Sequence, residues 1–146
     1  MSTPSVYQTW GAFIKGFSLA SAIFKISKSF PKEECYSLTD QIRRSSRSVC
    51  ANLAESFAKQ RYPKHFIAKI TDAAGENFET QSWLLFALDS RYINQKEYDE
   101  LIGLSIEVGK LLTYMERNPA HFAWQPKQKM ASQAVHTSYH VPNTTY

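Results

Sequence analysis

The stretch LTDQIRRSSRSVCANLAES, Leu38 to Ser56, contains neither glycine nor proline and sets Leu38, Ile42, Val49 and Leu53 at helical spacing. At ~100° per residue these four, with Phe57 beyond them, collect on one side of a helix wheel. Arg43, Arg44 and Arg47 fall on the other side, across an arc of about 100°. Ser45 and Ser46 are small enough for a neighbouring helix to approach closely. The stretch therefore predicts an amphipathic helix with a buried stripe and an arginine-bearing outer face, each guanidinium free to meet an anion.

Working outward, the periodicity stays helical. Upstream, Trp10, Phe13, Phe17, Ala20 and Phe24 recur at three and four, and beside them Ala12, Gly16, Leu19, Ile23, Ile26 and Phe30 form a second series. This first helix is apolar over a wide arc, so either it is the most buried of the set or its surplus face meets another subunit. Pro31 ends it. Downstream, Tyr62-Pro63 breaks the second helix, and Pro63 suits the first turn of a third. There Ile67, Ile70, Ala74, Phe78, Gln81, Leu85 and Leu88 predict a seam with one polar member. A fourth helix follows the short connection SRYINQ, with Tyr98, Leu101, Ser105, Val108, Leu112 and Met115 as its stripe.

No segment alternates like a strand. Four amphipathic helices joined by brief turns predict an all-α, antiparallel up-down-up-down four-helix bundle over residues 1–118. Residues 119–146 contain no acidic residue and no sustained period, so a C-terminal tail, extended or mobile, is expected there.

The chain has 146 residues, 43% hydrophobic, with net charge +4 and pI ≈ 9.1. That balance permits a polyanionic partner without demanding one. The N-terminus lacks the basic and apolar regions of a secretory signal, and no apolar run approaches the ~20 residues of a membrane helix. Cys35 and Cys50 are accordingly expected as free thiols in a reducing cytoplasm.

Groups for catalysis are scarce. His65 stands alone. His136 and His140 are four apart, but in a tail with no helix signal and no carboxylate nearby. Glu76 and Glu79 share one side of the third helix, usually a solvated edge. Phosphate-cradling glycine loops, nucleophile elbows and dinucleotide fingerprints are all missing. A non-enzymatic protein with no catalytic residues, cofactor or metal is expected.

Charge is segregated instead. From Asp40 to Lys64, Arg43, Arg44, Arg47, Lys59, Arg61 and Lys64 stand against Asp40 and Glu55. The fourth helix is opposite in sign, with Lys96, Lys110 and Arg117 against Glu97, Asp99, Glu100, Glu107 and Glu116. Guanidinium groups gathered on one face can neutralise neighbouring phosphates together. A charged outward face is also often simply hydrated, and Arg44 or Arg47 could pair with acids of a neighbouring helix or subunit.

The stretch FPKEECYSLTDQIRRSSRSVCANLAES, Phe30 to Ser56, resembles the four-helix-bundle family that includes proteins encoded in intervening sequences of bacterial 23S ribosomal RNA genes. The matching elements are Phe30-Pro31-Lys32-Glu33-Glu34, Leu38-Thr39-Asp40-Gln41-Ile42-Arg43-Arg44, Ser48 and Asn52-Leu53-Ala54-Glu55, with Trp10 and Glu79-Thr80-Gln81 outside that stretch. The resemblance spans roughly residues 7–117. Ser56 departs from the family's usual glycine, so the helix is expected to run on. Asn77 replaces a common glutamate. The resemblance implies an antiparallel bundle assembled as a homopentamer. It is also similar to accessory variability determinant proteins of diversity-generating retroelements, which implies nucleic acid, RNA or DNA, and a reverse transcriptase as partners.

The polar motif residues Gln41, Asn52, Glu55, Glu79 and Gln81 suit a hydrogen-bonded network that fixes helix register. Arg43, Arg44, Arg47, Lys59, Arg61 and Lys64 are then the candidate nucleic-acid-binding residues. The alternative is a protein–protein interaction scaffold without nucleic-acid contact.

Overall fold

The computed structural model describes residues 5–122 of the chain. It is an antiparallel, up-down-up-down four-helix bundle, with α1 Gly11–Ser27, α2 Leu38–Ala58, α3 Pro63–Asp89 and α4 Gln95–Arg117. Each helix packs on the next, and α4 closes against α1. Short 3₁₀ turns at Val6–Thr9, Lys32–Glu34 and Pro119–His121 flank the helices. Among the described residues there is no strand, and no helix is long and apolar enough to cross a membrane.

The helix ends follow local chemistry. Pro63 opens α3, where its missing N–H leaves nothing unpaired. Asn94 and Glu97 cap α4 reciprocally: Asn94 Oδ1 accepts from the Glu97 N–H at 2.8 Å, and Glu97 Oε1 from the Asn94 N–H at 2.9 Å. At the start of α2, Glu34 Oε2 accepts from the Ser37 hydroxyl at 2.6 Å and from the Leu38 N–H at 3.0 Å. Its Oε1 accepts from the Tyr92 hydroxyl at 3.2 Å, tying α2 to the α3–α4 turn. The Ser37 hydroxyl foremost, then the Leu38 N–H, hold the Glu34 carboxyl below its ordinary range. α3 ends with the Arg91 N–H donating to Leu88 O (3.0 Å) and the Tyr92 N–H to Ala87 O (2.9 Å). This is a Schellman closure that places Arg91 at φ 61°, in the left-handed region.

Two apolar clusters fill the interior. Trp10, Val49, Leu53, Phe66, Ile70 and Leu112 belong to one, and Leu19, Ile23, Ile42, Leu84 and Leu101 to the other. Between them lies a polar layer. The Ser45 and Thr80 hydroxyls meet at 2.8 Å across α2 and α3. Asn77 Nδ2 donates to the Ser105 carbonyl at 2.9 Å, and the Ser105 hydroxyl donates to Asn77 Oδ1 at 2.8 Å. Gln81 Nε2 completes the set by donating to the Ser105 hydroxyl at 3.0 Å. A network in which each member satisfies another favours one register of α3 on α4. Of the polar residues expected to form it, only Gln81 takes part. Asn52 bonds Ser48 O on its own helix, Glu55 pairs with Lys69 at 2.6 Å, and Glu79 accepts from the Trp83 indole.

The stripes of α2 and α4 lie as expected, and α2 continues past the buried Ser56 to Ala58. The α3 stripe is rotated by one residue. Phe66, Ile70, Ala73, Asn77, Thr80, Leu84 and Ala87 are buried, whereas Phe78 and Leu85 are 64% and 55% exposed. Asn77 and Thr80 tolerate burial because Ser105 and Ser45 satisfy them. On α1 the inward series is Ala12, Gly16, Leu19 and Ile23; of the aromatic series Phe17 and Phe24 are left outside, Phe13 is half-buried, and Trp10, just before the helix, is buried in the core. A Cβ on Gly16 would lie 3.4 Å from Cys50 Sγ and Val49 Cγ1, so α1 and α2 approach closely at that point.

Beyond Asn118, Pro119–His121 and Phe122 fold back on the bundle, where Phe122 packs edge-on against Trp10 at 5.7 Å and Tyr114 at 6.0 Å. The rest of the expected tail, residues 123–146 with His136 and His140, lies outside the described residues.

Candidate nucleic-acid interface

The close approach of α1 and α2 brings the outer face of one against the arginines of the other. Arg43 is half-buried. Its Nε donates to Ser27 Oγ at 2.8 Å, and its guanidinium carbon lies 4.7 Å from the centre of the Phe24 ring. Arg47 reaches the same ring at 5.2 Å, and Lys28 Nζ at 4.9 Å. Three cations from two helices thus converge on one aromatic side chain. Each such contact contributes about 0.5–1 kcal/mol at an exposed site. The expectation that every guanidinium is free is corrected here for Arg43: its Nε is engaged, and only the terminal nitrogens remain available.

Arg44 and Arg47 are exposed. The charge of Arg44 reaches Glu76 on α3, whose carboxyl is pushed up by partial burial and by Glu79; Arg44 opposes that rise. Among the described residues, none of these three arginines lies within ion-pair distance of a carboxylate. Lys59, Arg61 and Lys64 are exposed at the α2–α3 turn. Twelve residues separate Lys59 from Arg47, about 18 Å along a helix axis. The six candidate residues therefore form two groups.

Two depressions adjoin the arginines. A cleft of about 490 Å³ is lined by Cys35, Thr39, Asp40, Arg43, Arg44 and Arg47. Thr39 Oγ1 is buried there without a hydrogen-bond partner among the described residues. Sharing Arg47 and Ala51 with this cleft, a groove of about 550 Å³ runs between α1 and α2, past Tyr7, Phe13, Phe17, Phe24 and Lys25. Cys50 also lines it, and burial pushes that thiol up to about 11, so it stays protonated at neutral pH. Both cysteines are free.

Sequence reading missed Phe24, Ser27, Lys25 and Lys28 as members of this face. The signal was the run Phe24-Lys25-Ile26-Ser27-Lys28, a single turn in which an aromatic ring, two lysines and a hydroxyl alternate. His65 is exposed and packs edge-on against Tyr62. A second apolar surface, exposed among the described residues, lies on α3, where Phe78, Leu85 and Phe86 stand beside Ser82 and Asp89.

The fold places the chain among small all-α four-helix-bundle proteins. Within that class, the chain belongs to the 23S rRNA-intervening sequence protein family, which it matches over residues 10–114. Among solved structures it is similar to a protein of unknown function from the S23 ribosomal protein family of Bacteroides thetaiotaomicron VPI-5482. That likeness has a TM-score of 0.66 and 29% sequence identity, and covers 73% of this chain and 95% of that chain. Comparison with curated proteins yields no match.

Proposed function

We propose that this protein acts by binding rather than catalysis, as an oligomeric bundle that holds nucleic acid by its phosphates on the α1–α2 face. The observation that carries the reading is the convergence of Arg43, Arg47 and Lys28 on Phe24, with no carboxylate paired to either arginine among the described residues. Gathering like charges around one ring has an electrostatic cost that a polyanion reverses. Arg44 extends the positive face, and Lys59, Arg61 and Lys64 offer a second group of contacts along the same strand. The exposed α3 surface of Phe78, Leu85 and Phe86 supports self-association through a separate patch, since apolar side chains clustered in this way commonly meet another subunit. An interface on α3 leaves the arginines available in the assembly.

Titration with a nucleic acid at increasing salt tests the reading. Affinity is expected to fall steeply as salt rises. Replacing Arg43, Arg44 and Arg47 together by alanine is expected to flatten the dependence of log K on log salt by about 2–3, one contact per arginine. Binding that ignores both salt and the triple replacement overturns the proposal.

A further inference from the structure

The basic cleft and the aromatic groove meet at Arg47 and Ala51, which line both, so a ligand whose phosphates lie in the cleft is placed to reach the rings of α1. Phe13, Phe17 and Phe24 spread over twelve residues of that helix, eleven rises or about 16 Å of its length. They do different things. Phe24 is covered by cations. Phe17 is 60% exposed, with one face against Phe13 at 6.2 Å and a 25° interplanar angle.

Resting on the phosphate-binding reading above, we infer that the joined cleft and groove form a site for single-stranded nucleic acid, with a base stacked on Phe17 and the adjoining phosphates held by Arg43 and Arg47. Stacking on aromatic rings beside a cationic track is the common means of holding unpaired strands, because every base has a flat face and every linkage a charge. A duplex keeps its bases stacked on one another and offers none to the groove. The Ser27–Arg43 bond fits this use. With Nε occupied, the terminal nitrogens of Arg43 are left as the donors for a phosphate, and the Phe24 ring orients the guanidinium before any ligand arrives.

The charge of the rim selects among occupants. Lys25 and Arg47 line the groove, and Lys28 and Arg43 lie over the Phe24 ring that also lines it. Residues 123–146 of this chain carry Lys127 and Lys129 with no Asp or Glu, the wrong sign for such a rim. A second copy is the competing occupant, and the test separates the two.

Three strands of the same length, about 12 nucleotides, are compared by fluorescence anisotropy on the full chain: oligo(dT), an abasic strand with the same phosphates, and a duplex. The wild type is expected to bind oligo(dT) more tightly than the abasic strand, by a factor between about five and about 150 for one stacked base. F17A should erase that preference while keeping the affinity for the abasic strand, and F17W should retain it. Phe17 lies outside the core, and circular dichroism checks that each variant is folded. Equal binding of oligo(dT) and the abasic strand by the wild type overturns the inference but leaves phosphate binding standing. Loss of the dependence on Arg43, Arg44 and Arg47 for every strand overturns both. A fall in solution mass of F17A with unchanged strand preference assigns the groove to a second copy, which also overturns the inference.

Discussion

The α3–α4 and α1–α2 helix pairs both carry polar side chains at their contact, with opposite outcomes. Between α3 and α4, Asn77, Gln81 and Ser105 satisfy one another inside the bundle. Between α1 and α2, Ser27 engages one nitrogen of Arg43, and the guanidinium groups of Arg43 and Arg47 lie over Phe24 with no carboxylate paired to them among the described residues. A polar cluster whose donors and acceptors are all used fixes register and has little left for a ligand. One held in place but only partly used is preorganised for an anion. Under the proposed function, the same residue classes serve architecture on one side of the bundle and recognition on the other.

Substitution can separate these two roles. The largest effect on stability is expected for Asn77→Ala, which leaves the buried Ser105 carbonyl and hydroxyl short of partners and should cost about 2–3 kcal/mol in chemical denaturation. Its nucleic-acid affinity, measured on the folded fraction, should not change. That is the reverse of the triple arginine variant, whose main loss should be in binding, with a smaller drop in unfolding midpoint from the Arg43–Ser27 bond and the two contacts over Phe24. If Asn77→Ala weakens binding as much as it weakens the fold, the two faces are coupled and the division fails.

A smaller effect with a pH signature is expected at Glu34. Its carboxyl titrates below its ordinary value of 4.5, because the Ser37 hydroxyl and the Leu38 N–H stabilise the charged form. A lowered folded value means the carboxylate stabilises the fold above the ordinary range, and that contribution disappears as pH falls through the lowered value. Glu34→Gln should therefore melt below the wild type at neutral pH, with the gap closing as pH falls through the lowered value. A gap that stays constant across this range removes the charged cap as its cause. The smallest effect is expected for Arg91→Gly, a gain of about 0.5–1 kcal/mol, since glycine adopts the left-handed conformation at that turn without a Cβ clash. It lies on the α3–α4 side and should leave strand binding untouched.

The helices and their order were legible because each follows from neighbours in sequence. Leu101, Ser105, Val108, Leu112 and Met115 mark the buried side of α4 by spacing alone, and Pro63 marks where α3 begins. The rotation of α3 was not legible. Phe78 and Leu85 are more apolar than Asn77 and Thr80, so any reading by hydropathy turns them inward. What reverses the choice is a hydroxyl on α2 and a serine on α4, neither of which a single helix displays. The site divides similarly. The arginine face could be read from the wheel of one helix, while the part played by Phe24, Ser27 and Lys28 depended on how α1 lies beside it.

The sequence by itself determined four amphipathic helices, their ends, their antiparallel order and a cationic outer face on the second, because periodicity, proline and capping side chains act within a few residues. Only the tertiary structure decided which of two equally spaced stripes on α1 and α3 turned inward. Only it decided which arginine nitrogens stayed available, since both outcomes depend on partners supplied by other helices, at Gly16 and Ser27 on α1, Ser45 on α2 and Ser105 on α4.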